Sequence, residues 1–337
     1  VALALAPGHP LVLANKGSVL VGLERFAEAA EVLRQALDES PDDDMALVNL
    51  AFAQRASGEA ARAIESLTRA VRINPDNARA AADLANALLA EGRVDRAIAA
   101  CERFLAIHPG ERLVLATYGY ALRDAGRVDA SRRIFDYDNL VRICDADVPH
   151  GFAHLDEFND GLESYITTHA SLLNDPVRKA TTGGAQTGEL RATESPAFAA
   201  FEALVRREVE KTLLELKARG FADHEVMACE SDLWTLRAWG TVLSPGGRQA
   251  PHQHPLAWLS GVYYVGLPDE TDVGSLEFGA PPERIGLRAE PELRDVTPRP
   301  GRLVIFPSWF YHRTRPFAVG SRRISIAFDV MPLAAGD

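Results

Sequence analysis

Two stretches near the C-terminus decide the fold: HQHPLAWLSGVYYV at residues 252–265 and PGRLVIFPSWFYHRTRPFAVGSRRISIAF at residues 300–328. Both are rich in β-branched and aromatic residues and are interrupted by Gly and Pro, as expected for short strands joined by turns. Similar segments recur between residues 231 and 333, with SPGGRQAP at 244–251 as a loop between two of them. The pattern predicts an antiparallel double-stranded β-helix, or jelly-roll barrel, with a ligand site at its open end.

Three histidines in these stretches are candidate metal ligands. His252 and His254 are two residues apart, so in a strand their side chains point to the same face, and His312 lies on a later strand. Neutral imidazole nitrogens bind Fe(II), Zn(II), Ni(II) or Cu(II), and the spacing does not select among these metals. A histidine taken alone is more often a hydrogen-bonded structural residue, but a His-x-His pair with a third histidine on another strand favours a metal site.

Arg323 and Ser325 are the candidate residues for binding an anion. They also share one face of a strand, and a buried guanidinium forms a bidentate, charge-assisted pair with a carboxylate. Arg322 is a rival for this role, because strand alternation turns only one of the two arginines inward. We choose Arg323, since it shares its face with Ser325.

The first 140 residues contain an internal repeat. Prolines recur at intervals of 34 residues, and each interval contains two amphipathic helical patterns separated by a turn that often carries Gly. Small residues recur where the paired helices must approach, at Ala29, Ala63, Ala97 and Ser131. The chain opens VALALAP without an initiator Met, which is typical of the end of a helix and predicts at least one further repeat upstream.

This pattern resembles the tetratricopeptide repeat, whose period is 34 residues. The resemblance implies a right-handed α-solenoid at residues 1–140 whose groove binds a protein or peptide, or another copy of the chain. The alternative is that the repeats only brace the following domain. Residues 141–230 are expected to be connecting helices that pack on the barrel, and residues 231–333 to be the barrel itself. The expected fold is therefore an α+β multidomain protein.

The C-terminal stretches resemble the Fe(II)- and 2-oxoglutarate-dependent oxygenases, closest to a small bacterial and phage branch related to prolyl hydroxylases. The resemblance rests on the SGVYYV strand and the FPSW-x-x-H turn. It implies His252 and His312 as iron ligands, and Arg323 with Ser325 as the clamp for the far carboxylate of 2-oxoglutarate. Tyr264 matches a position that gives a phenol to the same carboxylate. The implied reaction couples oxidation of 2-oxoglutarate by O2, giving succinate and CO2, to hydroxylation of a C–H bond.

His254 stands where that family has a carboxylate. Three alternatives follow, and the sequence leaves them open. In the first, all three histidines bind the metal; in the second, His252 and His312 bind it while His254 orients substrate or a metal-bound water. In the third, the site is inactive or binds a different ligand. By analogy, the repeats suggest a protein or peptide substrate, and a small molecule also stays open. Three tryptophans flank the motif and are candidates for the substrate pocket: Trp239, Trp258 and Trp309.

Composition excludes several other classes. The net charge is −11 and the pI about 5.4, which argues against a nucleic-acid or anionic-membrane partner. The three cysteines, at positions 101, 144 and 229, are odd in number and widely spaced, which fits a reducing cytoplasm. No apolar run approaches the ~18 residues of a membrane span.

Two rival functions remain at this stage. A cupin-type metalloenzyme that does not use 2-oxoglutarate shares the barrel, and parts of its two motifs fit around His252 and His312. However, a cupin does not need an anion-binding pair such as Arg323 and Ser325. In addition, Trp258 or Leu259 stands where the cupin motif has a glutamate. The second rival is a non-catalytic repeat scaffold with a degenerate barrel, for which His254 in place of the acid is the best support.

Overall fold

The computed structural model describes residues 8–176, 179–228, 233–268, 273–318 and 320–333. Pro7, Cys229, the expected helix end at residues 1–7 and the expected domain boundary at residues 230 and 231 lie outside these ranges. The chain forms two compact units. One comprises Val1–Arg132 with Glu283–Glu290, and the other comprises Arg133–Pro282 with Pro291–Asp337.

The first unit is built from consecutive antiparallel helices: α1 (Pro10–Gly22), α2 (Phe26–Glu39), α3 (Asp44–Ala56), α4 (Ala60–Ile73), α5 (Ala78–Ala90), α6 (Val94–Leu105), α7 (Arg112–Asp124) and α8 (Val128–Ile134), which ends just beyond it. From α1 to α7, each helix packs on the next one along the chain. Ala29, Ala63 and Ala97 are completely buried, because a larger side chain would separate the paired helices. The predicted tetratricopeptide-repeat architecture is confirmed.

Residues 283–290 also belong to the first unit, although they lie between β6 and β7 of the second unit in sequence. The backbone N–H groups of Arg288 and Ala289 both donate to Asp124 Oδ1, over 2.9 and 2.7 Å. Ile285 is completely buried. The repeats are therefore completed by a short segment from a distant part of the sequence.

The second unit contains short α9 (Tyr137–Leu140), α10 (Leu155–Thr168) and α11 (Pro196–Ala218). Its strands are β1 (Arg142–Asp145), β2 (Leu173–Asn174), β3 (Thr181–Gln186), β4 (Trp234–His252), β5 (Leu259–Gly266), β6 (Leu276–Phe278), β7 (Arg294–Val296), β8 (Arg302–Pro307), β9 (His312–Thr314) and β10 (Arg323–Pro332). They pair antiparallel in the order β1-β8-β5-β10-β4-β9-β6-β7, with β3 bonded to β2 and β4. This curled sheet agrees with the predicted jelly roll.

The structure differs from expectation in two places. SPGGRQAP at 244–251 is not a loop but part of the long strand β4, which accommodates its glycines because Gly246 adopts a φ of +80° and the register shifts before His252. Residues 141–230, expected to be helical, also supply β1, β2 and β3. In β3, a Cβ at Gly184 would lie 2.4 Å from the Val242 carbonyl oxygen, so only Gly allows this close pairing with β4.

Strand alternation separates the helical layer from the site. Tyr263 on β5 and Phe328 on β10 point to the face covered by α10 and α11, where they pack with Phe158 and Phe201. All four side chains are fully buried. The adjacent residue, Tyr264, therefore points to the opposite face, where the site is located. Among the described residues, no helix has the length and hydrophobicity needed to cross a membrane.

Candidate metal and co-substrate site

Three imidazoles converge at the inner face of the curled sheet. His252 ends β4 and lies directly opposite His312, the first residue of β9. His254 follows β4 by two residues. The potential ligand nitrogens of the three side chains all lie within 4.8 Å of one another. This is the spacing from which three nitrogens can share one metal ion.

The two paired histidines each have one ring nitrogen bound to the backbone. His252 Nδ1 lies 2.8 Å from the Ala250 carbonyl oxygen, and His312 Nδ1 lies 2.9 Å from the Phe310 carbonyl oxygen. A carbonyl oxygen only accepts, so Nδ1 of each ring carries the proton and donates it. Nε2 of each ring is then left with its lone pair available for a metal, the usual arrangement of metal-binding histidines.

His254 is oriented by a carboxylate instead. Its Nδ1 lies 3.0 Å from Asp329 Oδ2, and the hydroxyl of Ser260 donates to Asp329 Oδ1 over 2.7 Å. The indole of Trp239 stacks on the imidazole at a centroid distance of 5.6 Å and an interplanar angle of 12°. The third histidine thus also uses Nδ1 for a protein contact.

Burial keeps the paired imidazoles neutral. Desolvation, followed by the neighbouring His254, lowers the pKa of His252 to about 4. Desolvation and the proximity of His252 lower the pKa of His312 well below its ordinary value. Only neutral imidazole binds a metal, so both rings are ready to do so at neutral pH.

A polar pocket lies beside the histidines. Arg323 is only 2% exposed, and its Cζ lies 5.2 Å from the centre of the Tyr264 ring. Within the described part of the chain, Arg323 Nε and Nη1, Tyr264 Oη and Thr241 Oγ1 are buried without a hydrogen-bond partner. Ser325 lines the same pocket. Burial raises the pKa of Tyr264, so its phenol keeps a proton to donate.

These orphaned donors fit a carboxylate. A buried guanidinium stays protonated in proteins, and leaving its N–H groups unpaired costs free energy that an anionic ligand recovers. Arg322, by contrast, points outward with its side chain 57% exposed and its Nη2 3.9 Å from Glu163 Oε1. The lining that Arg323 shares with the histidines combines polar side chains with the apolar Val262, Leu276 and Phe306.

On the outer side, His252 and His254 border a cavity of about 310 Å³. His252, His254, Trp239 and Gln249 line both this cavity and the inner pocket. The rest of its wall is largely polar and includes Lys179, Ala180, Gln186, Thr187, Gly188, Glu189, Arg237 and Asp329. The imidazoles of His252 and His254 therefore border both the inner pocket that contains Arg323 and an outer cavity of a size that accepts a small molecule or an amino-acid side chain.

The three candidate tryptophans are placed differently. Trp239 lines both cavities, as described. Trp258 and Trp309 are completely buried, and their indole N–H groups donate to the carbonyl oxygens of Val226 and Ile134, over 2.6 and 3.2 Å. Neither belongs to the described lining of either cavity, because each is used as a hydrogen-bonded core residue.

Sequence reasoning missed Asp329 and Thr241. A signal for Asp329 was present: Arg323, Ser325, Ala327 and Asp329 alternate along β10, so the acid shares the inward face of the arginine. Thr241 could be found only from pairing, because it lies opposite Ser325 across β4 and β10.

Comparisons with known families agree with this architecture. Residues 237–329 match the family described as "Putative 2OG-Fe(II) oxygenase". Residues 54–116 match one tetratricopeptide-repeat family, and residues 2–44 and 14–78 match another. No curated protein matches the sequence. The predicted combination of repeats with this type of oxygenase domain is confirmed.

Several solved structures are similar to parts of this chain. A prolyl-4-hydroxylase from Pseudomonas putida is 16% identical, with a TM-score of 0.42 over 59% of this chain and 97% of that chain. The viral collagen prolyl hydroxylase of Paramecium bursaria Chlorella virus-1 is 14% identical, with a TM-score of 0.37 over 58% of this chain and 97% of that chain. A MamA protein is 25% identical, with a TM-score of 0.36 over 40% of this chain and 73% of that chain.

Proposed function

We propose that this chain, which combines tetratricopeptide repeats with a 2OG-Fe(II) oxygenase domain, is an Fe(II)- and 2-oxoglutarate-dependent dioxygenase of the hydroxylase type. Its substrate is a C–H bond of a protein, a peptide or a small molecule. The proposed iron ligands are His252, His254 and His312, and the proposed 2-oxoglutarate residues are Arg323, Ser325 and Tyr264. Along the sequence we assign residues 1–140 to the solenoid, 141–230 to the connecting region and 231–333 to the oxygenase core; in the fold, residues 133–140 belong to the second unit and residues 283–290 to the first.

One observation carries this proposal: three imidazoles, each with Nδ1 in a protein contact, lie beside a buried guanidinium with unsatisfied N–H groups. A metal alone would satisfy the histidines, and an anion alone would satisfy Arg323. A ligand that binds the metal at one end and presents a carboxylate at the other satisfies both. 2-Oxoglutarate has these two ends, with its keto acid and its distal carboxylate.

In this proposal, the residues of the chain bind and orient 2-oxoglutarate and exclude water from the site. Arg323 binds the distal carboxylate as a charge-assisted pair, and Tyr264 and Ser325 are placed to add hydroxyl hydrogen bonds to it. The buried aromatic side chains around His312, including Phe278 and Phe306, exclude water. When bound, iron with 2-oxoglutarate and O2 supplies the oxidising chemistry, in which succinate and CO2 form as a C–H bond is hydroxylated.

The outer cavity is the proposed substrate position. It borders His252 and His254 on the side away from Arg323, and its wall combines the flat face of Trp239 with amide and hydroxyl groups. The ion pair of Arg237 with Glu189, at 3.3 Å, lies at its rim. An aliphatic group would pack on Trp239 with its reacting carbon near the histidines, while polar groups on either side of it contact the rim.

We further propose that the repeats recruit a protein or peptide partner. Repeats of this class mediate protein–protein contacts through extended surfaces. Large apolar side chains are exposed on the first and third helices, at Leu11, Val19 and Met45. Replacing Leu11 or Met45 with Glu should impair turnover of a macromolecular substrate while leaving 2-oxoglutarate binding unchanged. Unchanged turnover would favour a bracing role for the repeats.

The decisive experiment uses the intact chain, stripped with chelator and reloaded with Fe(II) without oxygen. Calorimetric titration with 2-oxoglutarate and with N-oxalylglycine should show binding that requires the metal. Admitting O2 should then yield succinate in an amount that depends on iron and that N-oxalylglycine suppresses. Metal binding without 2-oxoglutarate binding would instead support a cupin-type metalloenzyme, and binding of neither would support a non-catalytic scaffold.

A further inference from the structure

Asp329 is an acidic residue placed against a candidate metal ligand from the last strand of the barrel. Its side chain is 15% exposed, and that of His254 is 14% exposed. Both carboxylate oxygens are engaged: His254 Nδ1 lies 2.9 Å from Oδ1 and 3.0 Å from Oδ2, and the Ser260 hydroxyl donates to Oδ1. The carboxylate is therefore held on two sides and cannot turn away from the imidazole without losing a hydrogen bond.

We propose that Asp329 is a positioning residue that holds His254 as the third metal ligand, and that Ser260 holds Asp329 in place. The inference rests on the proposed metal site. A carboxylate beside Nδ1 accepts a hydrogen bond from the Nδ1–H group, which leaves Nε2 as the unprotonated nitrogen and directs it to the same point as Nε2 of His252 and His312. The indole of Trp239 lies nearly parallel to the imidazole of His254 and covers one of its faces.

The position of the three residues in the sheet explains why they meet. Asp329 pairs directly with Ser260 across β10 and β5, so the two side chains point to the same face at close range. On the other side, Asp329 pairs with Arg237 of β4, two residues from Trp239. Backbone register therefore brings the serine and the carboxylate together, and the indole that covers His254 comes from the strand on the opposite side.

This arrangement also answers an electrostatic question raised by His254. Three neutral imidazoles give the metal no negative charge, whereas a carboxylate at one of these positions would. Asp329 instead places a carboxylate against Nδ1 of His254, so the negative charge lies one side chain away from the proposed metal position. His254 and Asp329 together thus act as one anionic ligand unit.

The test compares wild type with Asp329→Ala, Asp329→Asn and Ser260→Ala. Asp295→Asn is the matched control: Asp295 also accepts from a serine hydroxyl, Ser275 at 3.1 Å, but it lies on β7 and contacts no candidate ligand within the described residues. Metal affinity is measured by competition with a chelator, with Fe(II) under anaerobic conditions and with Co(II). The ring-nitrogen chemical shifts of ¹⁵N-labelled histidine in the metal-free protein report the tautomer of His254.

Removal of the carboxylate should weaken metal binding about 10- to 100-fold, the effect typical of lost outer partners of metal-binding histidines. Asp329→Asn, whose amide oxygen can still accept, and Ser260→Ala should give smaller losses, and Asp295→Asn none. In the metal-free wild type, His254 should carry its proton on Nδ1, and Asp329→Ala should shift it towards a mixture of tautomers.

Equal metal affinity in wild type and Asp329→Ala, or a wild-type His254 protonated on Nε2, would overturn the inference while leaving the proposed function standing. Absence of metal binding in wild type would overturn both. A variant that loses affinity because it is misfolded is recognised by its thermal unfolding in the metal-free state. In that case the tautomer in wild type and the near-isosteric Asp329→Asn variant decide the question.

Discussion

Replacing Arg323 with Ala should remove most of the affinity for 2-oxoglutarate. The guanidinium is 2% exposed, so its pair with a carboxylate is shielded from water, and loss of one partner of such a buried charge pair costs about 2–5 kcal/mol. At 1.4 kcal/mol per factor of ten, this corresponds to a dissociation constant raised roughly 30-fold to several thousand-fold.

Arg322→Ala is the matched control, because it removes the same side chain one residue away. That side chain is 57% exposed and lies 3.9 Å from Glu163, a surface contact worth at most about 1 kcal/mol. It does not line the pocket within the described residues, so the affinity for 2-oxoglutarate should stay within about twofold of wild type.

Two measurements check the prediction for Arg323. Calorimetric titration of the metal-loaded protein without oxygen gives the dissociation constants directly. Thermal unfolding gives an independent value, since a ligand at about 100 times its dissociation constant stabilises the folded state by about 2.7 kcal/mol, and this gain should disappear in Arg323→Ala. Equal losses in the two variants, or a larger loss in Arg322→Ala, would refute the assignment of the inward-facing arginine.

Three further predictions concern the histidines. His252→Ala and His312→Ala should each abolish stoichiometric iron, measured by elemental analysis, whereas the exposed His150→Ala should not; full occupancy in either site variant would contradict the ligand assignment. In His254→Asp the new carboxylate faces Asp329, and the two negative charges repel each other. Iron should therefore bind more tightly to the double variant His254→Asp/Asp329→Asn than to His254→Asp alone. Chelator competition showing the reverse order would exclude this repulsion. Finally, burial lowers the pKa of His252 to about 4 from its ordinary 6.5, so between these values the unfolded chain binds more protons than the folded one. The free energy of unfolding of the metal-free protein should therefore fall as the pH is lowered across this window. Denaturant titrations should show this slope reduced in His252→Ala, and a flat wild-type profile would count against it.

Features that depend on periodicity could be predicted from the sequence. The repeat of 34 residues determines the helical pairs of the first unit, because each pair must present the same small and large residues to its neighbours. Alternation along RRISIAF likewise indicated that Arg323 and Ser325 share a face, and the structure places both in the inner pocket. These features are local, so they require no knowledge of strand pairing.

Features that depend on long-range pairing could not be predicted in the same way. Strand β4 continues through SPGGRQAP because β3 and β9 pair with that segment, which its Gly and Pro content alone does not reveal. The contact between His254 and Asp329 joins residues far apart in sequence, and the burial of Trp258 depends on a carbonyl group at Val226. The sequence indicates that buried imidazole, carboxylate and indole N–H groups need hydrogen-bond partners, but only the fold determines which residues supply them.

The segment at residues 283–290 has a consequence for the order in which the protein is made. The helices of the first unit leave the ribosome before Arg288 and Ala289. These two residues, whose N–H groups bind Asp124, are synthesised 164 and 165 residues after it. At ~5–20 residues per second this delay is on the order of 10–30 s. During that interval Asp124 and the surface that later covers Ile285 are open to solvent. The nascent repeats therefore pass through a stage in which a chaperone, or another chain with a similar segment, has access to a surface that the finished protein covers.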